Sequence, residues 1–236
     1  MTARSVLPLT LEGVCFDAGG ERHIHDLSHG FDHGPRTVIL GPNGAGKSLM
    51  LRLCHGLLAP SAGVVRWAAP PSRRQAMLFQ IPVMLRRSAA ANIAYALAIN
   101  GVPARERPAR VEKALARAGL EAVAQRPARA LSVGQQQRLA LTRAWAIEPE
   151  VLFLDEPTAS LDPAASRAIE QAIDGVHGSG AKVIMTTHDL GQARRLADEV
   201  LFLHHGRLIE TGPADKFFAA PKSREAAAFL EGELLW

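Results

Sequence analysis

Four short apolar runs rich in β-branched residues recur along the chain, and amphipathic stretches separate them. The runs occupy residues 37–40, 151–154, 183–186 and 200–203. Because apolar side chains fill each run without alternation, the pattern is typical of strands buried on both faces of a mostly parallel sheet. The first 35 residues and residues 64–67 contain shorter strand patterns with glycine-rich turns, which predict a small antiparallel β layer.

A helical pattern lies between the first and second of these runs. Residues 89–130 are rich in alanine and arginine at helical spacing, interrupted by Pro103, Pro108 and Pro127. The tail after Gly212 is long enough for two short helices. Together these patterns predict an α/β fold with a mostly parallel sheet core, an antiparallel β subdomain and an inserted α-helical subdomain.

Composition then limits the class of protein. Of the 236 residues, 47% are hydrophobic, which is enough to form a core. Charged residues make up 21%, which is too few for a disordered tail protein. Two cysteines, Cys15 and Cys54, cannot build a disulfide framework and favour a reducing compartment. No apolar stretch approaches the ~18 residues of a membrane span, and residues 1–13 lack the pattern of a secretory signal. We therefore expect a soluble intracellular domain.

A glycine-rich segment follows the first core strand directly. It reads Gly41-Pro42-Asn43-Gly44-Ala45-Gly46-Lys47-Ser48 and matches G-x-x-x-x-G-K-[ST] between a predicted strand and a predicted helix. Glycines let successive backbone N–H groups point at phosphate oxygens, and the helix N-terminus adds the positive end of its dipole. We expect Lys47 to reach the β- and γ-phosphates of a nucleotide and Ser48 to ligate Mg²⁺, the alternative being a chance glycine-rich turn. The following helix is predicted to align three leucines on one face: Leu49, Leu53 and Leu57.

The second core strand ends in two carboxylates, Asp155 and Glu156. An apolar strand that ends in an acid is how phosphate-loop enzymes position a carboxylate beside Mg²⁺. Asp155 is therefore expected to hold the metal, and Glu156 to act as base for the water that attacks the γ-phosphate. The alternative is that both acids only cap a helix that starts near Pro163.

A third segment, Leu131-Ser132-Val133-Gly134-Gln135, precedes a predicted helix over residues 136–147. Ser132 and Gln135 fit the capping box S-x-x-Q, which on its own would be a structural feature. The order and spacing of the three segments, however, resemble the ATP-binding-cassette (ABC) ATPases, the nucleotide-binding subunits of ABC transporters. The resemblance covers essentially the whole chain.

Six motifs carry this resemblance. In family terms, residues 41–48 are similar to Walker A, residues 151–155 to Walker B and residues 131–135 to the signature. Residues 155–162 resemble the segment that ends in the D-loop Asp162, Gln80 resembles the Q-loop glutamine, and His188 resembles the switch histidine. The resemblance implies a P-loop NTPase (RecA-like) fold, and it implies one ABC ATPase domain over residues 1–236. Within it, the core would span roughly 1–80 and 150–212, the helical subdomain roughly 81–149 and the tail 213–236.

The resemblance also implies roles for these residues. ATP and Mg²⁺ would be the cofactors, with the metal held by Ser48, Gln80 and Asp155, and with Glu156, His188 and Gln80 as catalytic residues. Two copies would form a head-to-tail dimer, and hydrolysis would separate them. Four signature residues of each copy would contact the ATP of the other: Ser132, Val133, Gly134 and Gln135.

The chain departs from the family pattern at two positions. Val133 stands where the signature most often has glycine, and its β-branch restricts the backbone. Ala18 stands where the family has an aromatic residue that stacks on adenine. Phe16 faces the same side of a strand as Ala18 by parity, so it is the predicted base-stacking ring. Four nearby histidines are interpreted as surface or edge-strand residues rather than metal ligands, since no cysteine or acid shares their spacing: His23, His25, His29 and His33.

Partners follow from the resemblance as well. A cassette without membrane helices implies separate transmembrane permease subunits, an indirectly linked substrate-binding protein and a peripheral location on the cytoplasmic side of the inner membrane. Residues 80–88, Q-I-P-V-M-L-R-R-S, are similar to the cassettes of tungstate-type oxyanion importers. This similarity favours tungstate as cargo, ahead of molybdate or phosphate. The alternatives are an ABC ATPase for another substrate and an ATP-gated interaction protein outside transport.

The charge distribution refines the choice of partners. The chain has a formal net charge of +4 and a pI near 9.5, which leaves nucleic acid open as a partner. Residues 66–129, however, contain twelve basic and three acidic residues, so this segment carries +9 and the remainder −5. We interpret the basic segment as a face near an anionic membrane leaflet, or else as a solvated helix surface, and expect no nucleic-acid partner.

Overall fold

The computed structural model of the chain describes residues 5–72 and 74–233. In chain order the strands are β1 (Leu9–Ala18), β2 (Glu21–Phe31), β3 (Thr37–Leu40), β4 (Ala62–Trp67), β5 (Gln75–Leu78), β6 (Val151–Asp155), β7 (Lys182–Thr186), β8 (Glu199–His204) and β9 (Arg207–Pro213). The helices are α1 (Lys47–His55), α2 (Ala89–Ile99), α3 (Arg107–Ala118), α4 (Val133–Trp145), α5 (Pro163–Gly178), α6 (Leu190–Leu196), α7 (Ala214–Ala219) and α8 (Arg224–Glu231). The described residues fall into two compact units, which comprise residues 5–71, 153–156 and 182–233 in the first and 72, 74–152 and 157–181 in the second.

The first unit contains a three-stranded antiparallel sheet in the order β2-β1-β4. Leu9 on β1 pairs with Phe31 on β2 and with Trp67 on β4. The pairing becomes irregular beyond Leu11, near Gly13. A side chain at Gly63 would clash with the carbonyl group of Gly13. This sheet confirms the predicted antiparallel β layer, although β1 and β2, at 10 and 11 residues, are longer than the patterns indicated.

The first unit also contains most of the core sheet that positions the candidate site. In this sheet β3 lies between β7 and β8 and runs parallel to both, β6 is the neighbour of β7, and β9 pairs antiparallel with β8. Every residue of β3, β6 and β7 is buried, which accounts for the apolar runs in the sequence. Parallel strands end at the same edge, so the residues that follow β3 and β7 emerge close together.

The second unit is mainly helical. Helix α4 packs against α2, α3 and α5. The helix starts follow from local sequence, because Ser88 accepts a hydrogen bond from Ala91 N and Asp162 accepts one from Ala165 N. At the end of α3, Gly119 adopts φ 60°, the left-handed conformation that terminates many helices. The helical insertion predicted between the first two core strands is thus confirmed, with prolines outside helix interiors.

Some local predictions differ from the structure. The four apolar runs are confirmed as β3, β6, β7 and β8, but β5 and β9 were not predicted, because β5 is only four residues long and β9 is half-exposed. The predicted leucine face of α1 is wrong at Leu57, since the helix ends at His55 and Gly56 turns the chain with φ 85°, leaving Leu57 48% exposed. Among the described helices, none has the length and apolar character needed to cross a membrane.

Candidate functional site

The glycine-rich segment forms the loop between β3 and α1. Gly41, Gly44 and Gly46 all have positive φ, at 150°, 80° and 97°. A Cβ on Gly41 would overlap the carbonyl oxygen of Leu203, and one on Gly46 would lie 2.7 Å from Ile24 Cδ1. Gly41 therefore requires glycine for space as well as for backbone conformation, whereas Gly46 requires it for its positive φ. The loop leads into the N-terminus of α1, where backbone N–H groups and the helix dipole favour an anion.

Lys47 begins α1 and is only 5% exposed. Its Nζ donates hydrogen bonds to the carbonyl oxygens of Gly41 (2.8 Å) and Pro42 (3.0 Å) and lies 3.9 Å from Glu156 Oε1. Burial lowers the pKa of Lys47, and the charges of Glu156 and Asp155 partly oppose that shift. The ammonium is thus held against the loop, where phosphate oxygens could replace the carbonyls as acceptors.

Asp155 ends β6 with its carboxylate 98% removed from solvent and bound by two hydroxyls. Ser48 Oγ donates to Asp155 Oδ1 at 2.7 Å, and Thr186 Oγ1 donates to the same oxygen at 2.9 Å. Hydroxyl and carboxylate oxygens are the ligands that Mg²⁺ prefers. The Ser48–Asp155 pair therefore fits a divalent cation, and Thr186 is an additional neighbour that the sequence analysis missed. The alternative that Asp155 caps a helix is wrong, because Asp162 caps α5.

Glu156 follows immediately and has φ 45°, an uncommon conformation for a residue with a side chain. Its backbone N donates to Thr186 Oγ1 at 3.0 Å, which ties the turn to the end of β7. His188 Nδ1 lies 3.2 Å from Glu156 Oε1, and the His188 side chain is 53% exposed. A carboxylate beside an exposed imidazole is a pair that can accept and hold a proton from water.

A cavity of about 310 Å³ lies over the loop. Glu156 and His23 line it together with residues 43–49. His23 is an exposed β2 residue whose Nε2 lies 3.2 Å from the Ala18 carbonyl oxygen, whereas Phe16 is half-buried in β1 and is not one of the lining side chains. The sequence did not indicate His23, because parity along β1 relates only Phe16 and Ala18, whereas His23 lies on the neighbouring strand β2.

The signature-like segment lies in the second unit, at the start of α4. Ser132 Oγ accepts a hydrogen bond from Gln135 N while Gln135 Oε1 accepts one from Ser132 N, so the predicted capping box is confirmed. Val133 is 63% exposed, and a Cβ on Gly134 would lie 3.2 Å from Ala165 Cβ. A cavity of about 470 Å³ is lined by residues 132–135 and by 160–162, which include Asp162.

The structure brings five predicted site residues together in the first unit: Lys47, Ser48, Asp155, Glu156 and His188. Gln80, Asp162 and the segment 132–135 belong to the second unit. Gln80 is exposed and follows β5. Two separate sets of candidate residues therefore exist, one around the phosphate-type loop and one around the capped start of α4.

Comparison with known proteins identifies the family. Residues 24–159 match the family model for the ABC transporter. The chain is 38% identical to the tungstate uptake system ATP-binding protein TupC of Peptoclostridium acidaminophilum, covering 90% of this chain and 100% of TupC. It is 34% identical to a probable anion import ATP-binding protein of Haloferax volcanii (99% and 90% covered) and 33% identical to the phosphate import ATP-binding protein PstB 2 of Natronomonas pharaonis (97% and 88%).

Solved structures agree on the fold. An ATP-binding subunit of an ABC transporter superposes with a TM-score of 0.83 at 24% identity, covering 95% of this chain and all of the other. CbiO1 of Clostridium perfringens, part of the ABC transporter complex cbiONQ, gives 0.80 at 28% identity, covering 96% and 95%. The P-loop NTPase fold expected from the motifs is therefore confirmed. The chain belongs to the ATP-binding proteins of ABC transporters, which are ATPases coupled to transport.

Proposed function

We propose that this chain is the ATP-hydrolysing subunit of an importer for an oxyanion, with tungstate as first choice and molybdate or phosphate next. One observation carries the catalytic half of the proposal. The buried Lys47 ammonium, the Ser48–Asp155 pair and the Glu156–His188 pair meet at one edge of the core sheet. This arrangement suits hydrolysis of a phosphoanhydride, because it combines a phosphate-binding loop, two oxygen ligands for a metal ion and a general base.

Nucleotide binding is assigned to the loop. Residues 41–48 would hold the phosphates through backbone N–H groups, and Lys47 would donate to the β- and γ-phosphate oxygens. Ser48 and Asp155, with Gln80, would hold Mg²⁺, which supplies charge neutralisation at the phosphates. Phe16 and His23 are both candidates for contact with the adenine ring. His23 is favoured, because it lines the cavity over the loop.

Glu156 is proposed as the base that takes a proton from the attacking water. It lies next to Lys47 and within 3.2 Å of His188, so its carboxylate is already oriented by two neighbours. The proton would stay on the Glu156 carboxylate or pass to His188 Nδ1. Gln80 is proposed to help orient the water and the metal. Positioned general-base help of this kind contributes roughly 10²–10⁴-fold to a rate.

The second set of residues is proposed to act on another copy of the chain. Ser132, Val133, Gly134 and Gln135 would contact the ATP held by that copy, in a head-to-tail dimer with Asp162 at the contact. The capped, exposed start of α4 supports this proposal because its first N–H groups can bind an anion. We assign residues 81–149 to a helical subdomain, 1–80 and 150–212 to the core, and 213–236 to the tail of one ABC ATPase domain.

Coupling to transport is proposed to occur through permease subunits at the cytoplasmic face of the inner membrane, with a substrate-binding protein as an indirect partner. Ile81 and Val83, just after Gln80, are 82% and 64% exposed, which suits a surface that a partner covers. The similarity to TupC, PstB 2 and an anion import protein supports an oxyanion as cargo.

Uptake measurements test this proposal. A strain that lacks the gene is expected to lose uptake of labelled tungstate and to regain it with the wild-type chain but not with Glu156→Gln. Labelled molybdate and phosphate, measured in the same strains, rank the cargo. Unchanged uptake of all three oxyanions in the deletion strain would refute the oxyanion proposal. Co-purification with a soluble complex and no membrane protein would favour an ATP-gated role outside transport.

A further inference from the structure

The helical unit contains a cavity of about 360 Å³ that the proposed hydrolysis does not use. It is bounded by the end of α3 and by faces of α4 and α5, and its larger lining side chains are Arg117, Arg138, Trp145 and Gln171. We propose that this cavity, which we call the rear cavity, binds a small oxyanion of the phosphate or tungstate type.

The charge of the rear cavity is the first observation behind this assignment. Arg117 and Arg138 contribute two guanidinium groups, and no carboxylate occurs among the described residues that line it. The other lining residues are all uncharged: Trp145, Gln171, Thr142, Gly119 and three alanines. Two guanidinium groups with no carboxylate among the lining residues favour an anion.

Arg138 supplies the second observation. Its Nε is buried and has no hydrogen-bond partner within residues 5–72 and 74–233. Its Nη1 donates to the Ala118 carbonyl oxygen at 3.3 Å, a long bond that occupies one of its five N–H groups. A buried N–H without an acceptor is unfavourable, and an oxyanion oxygen in the rear cavity would satisfy it. The planar guanidinium also matches two oxygens of such an anion at once.

The Arg117 side chain contacts an aromatic ring. Its guanidinium carbon lies 4.8 Å above the centre of the Trp145 ring. The Trp145 ring also packs closely against Gly175, since a Cβ at that position would come within 2.9 Å of Trp145 Cη2. The ring is thus packed against backbone on α5, and the exposed Arg117 side chain stacks on its face beside the cavity. Contact with a packed ring reduces the entropy lost when a ligand binds.

The rear cavity also shares Arg138 and Ala168 with the cavity at residues 132–135. An anion bound to Arg138 would therefore change the charge presented to the signature-like segment. Under this inference, the oxyanion regulates ATP hydrolysis. This regulatory consequence rests on the proposed function, whereas the binding site itself does not.

Calorimetric titration of the full chain tests the site. Lys47→Ala serves as background, so that binding at the phosphate-type loop does not contribute, and sodium tungstate and inorganic phosphate are titrated separately. One saturable site per chain is expected for at least one of them. Tighter tungstate binding would identify the proposed cargo as the ligand, and tighter phosphate binding would identify the hydrolysis product.

Arginine variants make the test specific. Arg117→Gln and Arg138→Lys are each expected to weaken binding about tenfold, since each removes a guanidinium fork. The matched control Arg126→Gln removes the same charge from an exposed residue of the same unit and should change affinity less than twofold. Thermal melts by circular dichroism verify that each variant is folded, and Arg117→Gln keeps the test usable if Arg138→Lys is not.

Three results would overturn the inference in separable ways. Absence of saturable binding for both anions at millimolar concentration would remove the site. An equal loss in Arg126→Gln and Arg117→Gln would reduce it to general electrostatic attraction. Binding that leaves the ATPase rate of the wild-type chain unchanged would remove the regulatory role and keep the site. Loss of hydrolysis in all proteins, with anion binding intact, would count against the proposed function alone.

Discussion

At the scale of single residues, the ammonium of Lys47 shows how burial prepares a side chain for phosphate. Two backbone carbonyls at 2.8 and 3.0 Å hold it, and Glu156 is more distant at 3.9 Å. Burial lowers the pKa of Lys47, so a phosphate that arrives beside it stabilises the charged form. The Lys47 ammonium thus lies against the loop with Glu156 as a more distant ion-pair partner, so the loop carbonyls are its nearest acceptors.

Contact with the adenine ring of ATP is also made by single residues, and we expect His23 to make it. A ring that stacks on a nucleobase contributes ~1–3 kcal/mol, so His23→Ala should weaken ATP binding about 5- to 150-fold, and His23→Phe should restore most of the loss. Fluorescence titration with a labelled ATP measures the Kd. His33→Ala is the matched control, since His33 bonds to Ser5 and is not a lining residue of the loop cavity.

Phe16→Leu is the competing variant in that experiment. A larger loss for Phe16→Leu than for His23→Ala would return the base contact to Phe16, as the sequence parity argument predicted.

At the scale of elements, one acidic residue links three strands of the first unit. Glu199 at the start of β8 accepts a hydrogen bond from Thr37 Oγ1 on β3 at 2.9 Å, and His29 Nε2 on β2 lies 3.7 Å from the same oxygen. Burial raises the pKa of Glu199, but His29, Lys182 and Thr37 lower it by more, so its net pKa lies below the usual value. This contact brings β2, which carries His23, close to the start of β8.

This contact makes stability depend on pH. Since the pKa of Glu199 is lower in the folded than in the unfolded chain, its contribution is full above the unfolded value of ~4.3 and is lost as pH falls through the folded value. Glu199→Gln should therefore lower the Tm at pH 7 by a few degrees. This change corresponds to a loss of roughly 1–3 kcal/mol in the free energy of unfolding. The Tm difference from wild type should stay constant down to about pH 4.3 and narrow as pH falls below that value. A difference that is constant with pH would show that the charge of Glu199 does not contribute.

At the scale of the whole molecule, the sequence predicts the core strands and the first-unit site better than the edges and the base contact. Apolar runs identify β3, β6, β7 and β8 because burial on both faces leaves a continuous signal, whereas β9 is half-exposed. Lys47, Ser48, Asp155 and Glu156 are predictable because their spacing follows from strand ends. Thr186 and His23 are not, because a single sequence does not show which hydroxyl lies beside Asp155 or that β2 lies beside the loop.

The uneven charge is also a property of the whole molecule, and it yields a test of docking. Arg86 and Arg87 are exposed on the second unit, next to Ile81 and Val83. At about 1 kcal/mol for each arginine near an anionic leaflet, the double variant Arg86→Gln, Arg87→Gln should weaken membrane-complex assembly about 10- to 30-fold. The amount of membrane partner retained by the tagged chain measures this effect.

A matched control removes two basic residues elsewhere. Lys222→Gln with Arg224→Gln changes the net charge equally on an exposed part of the first unit and should leave assembly intact. Equal retention by the two double variants would identify the basic segment as an ordinary solvated surface.

The central claim is hydrolysis of ATP by Glu156, and steady-state turnover of Mg-ATP by Glu156→Gln tests it most directly. The account predicts a rate roughly 10²–10⁴-fold below wild type, an ATP Kd within a few-fold of it, and accumulation of an ATP-bound dimer. Glu121→Gln, an exposed carboxylate of the second unit, should hydrolyse ATP like the wild type. Turnover by Glu156→Gln at the wild-type rate would contradict the account.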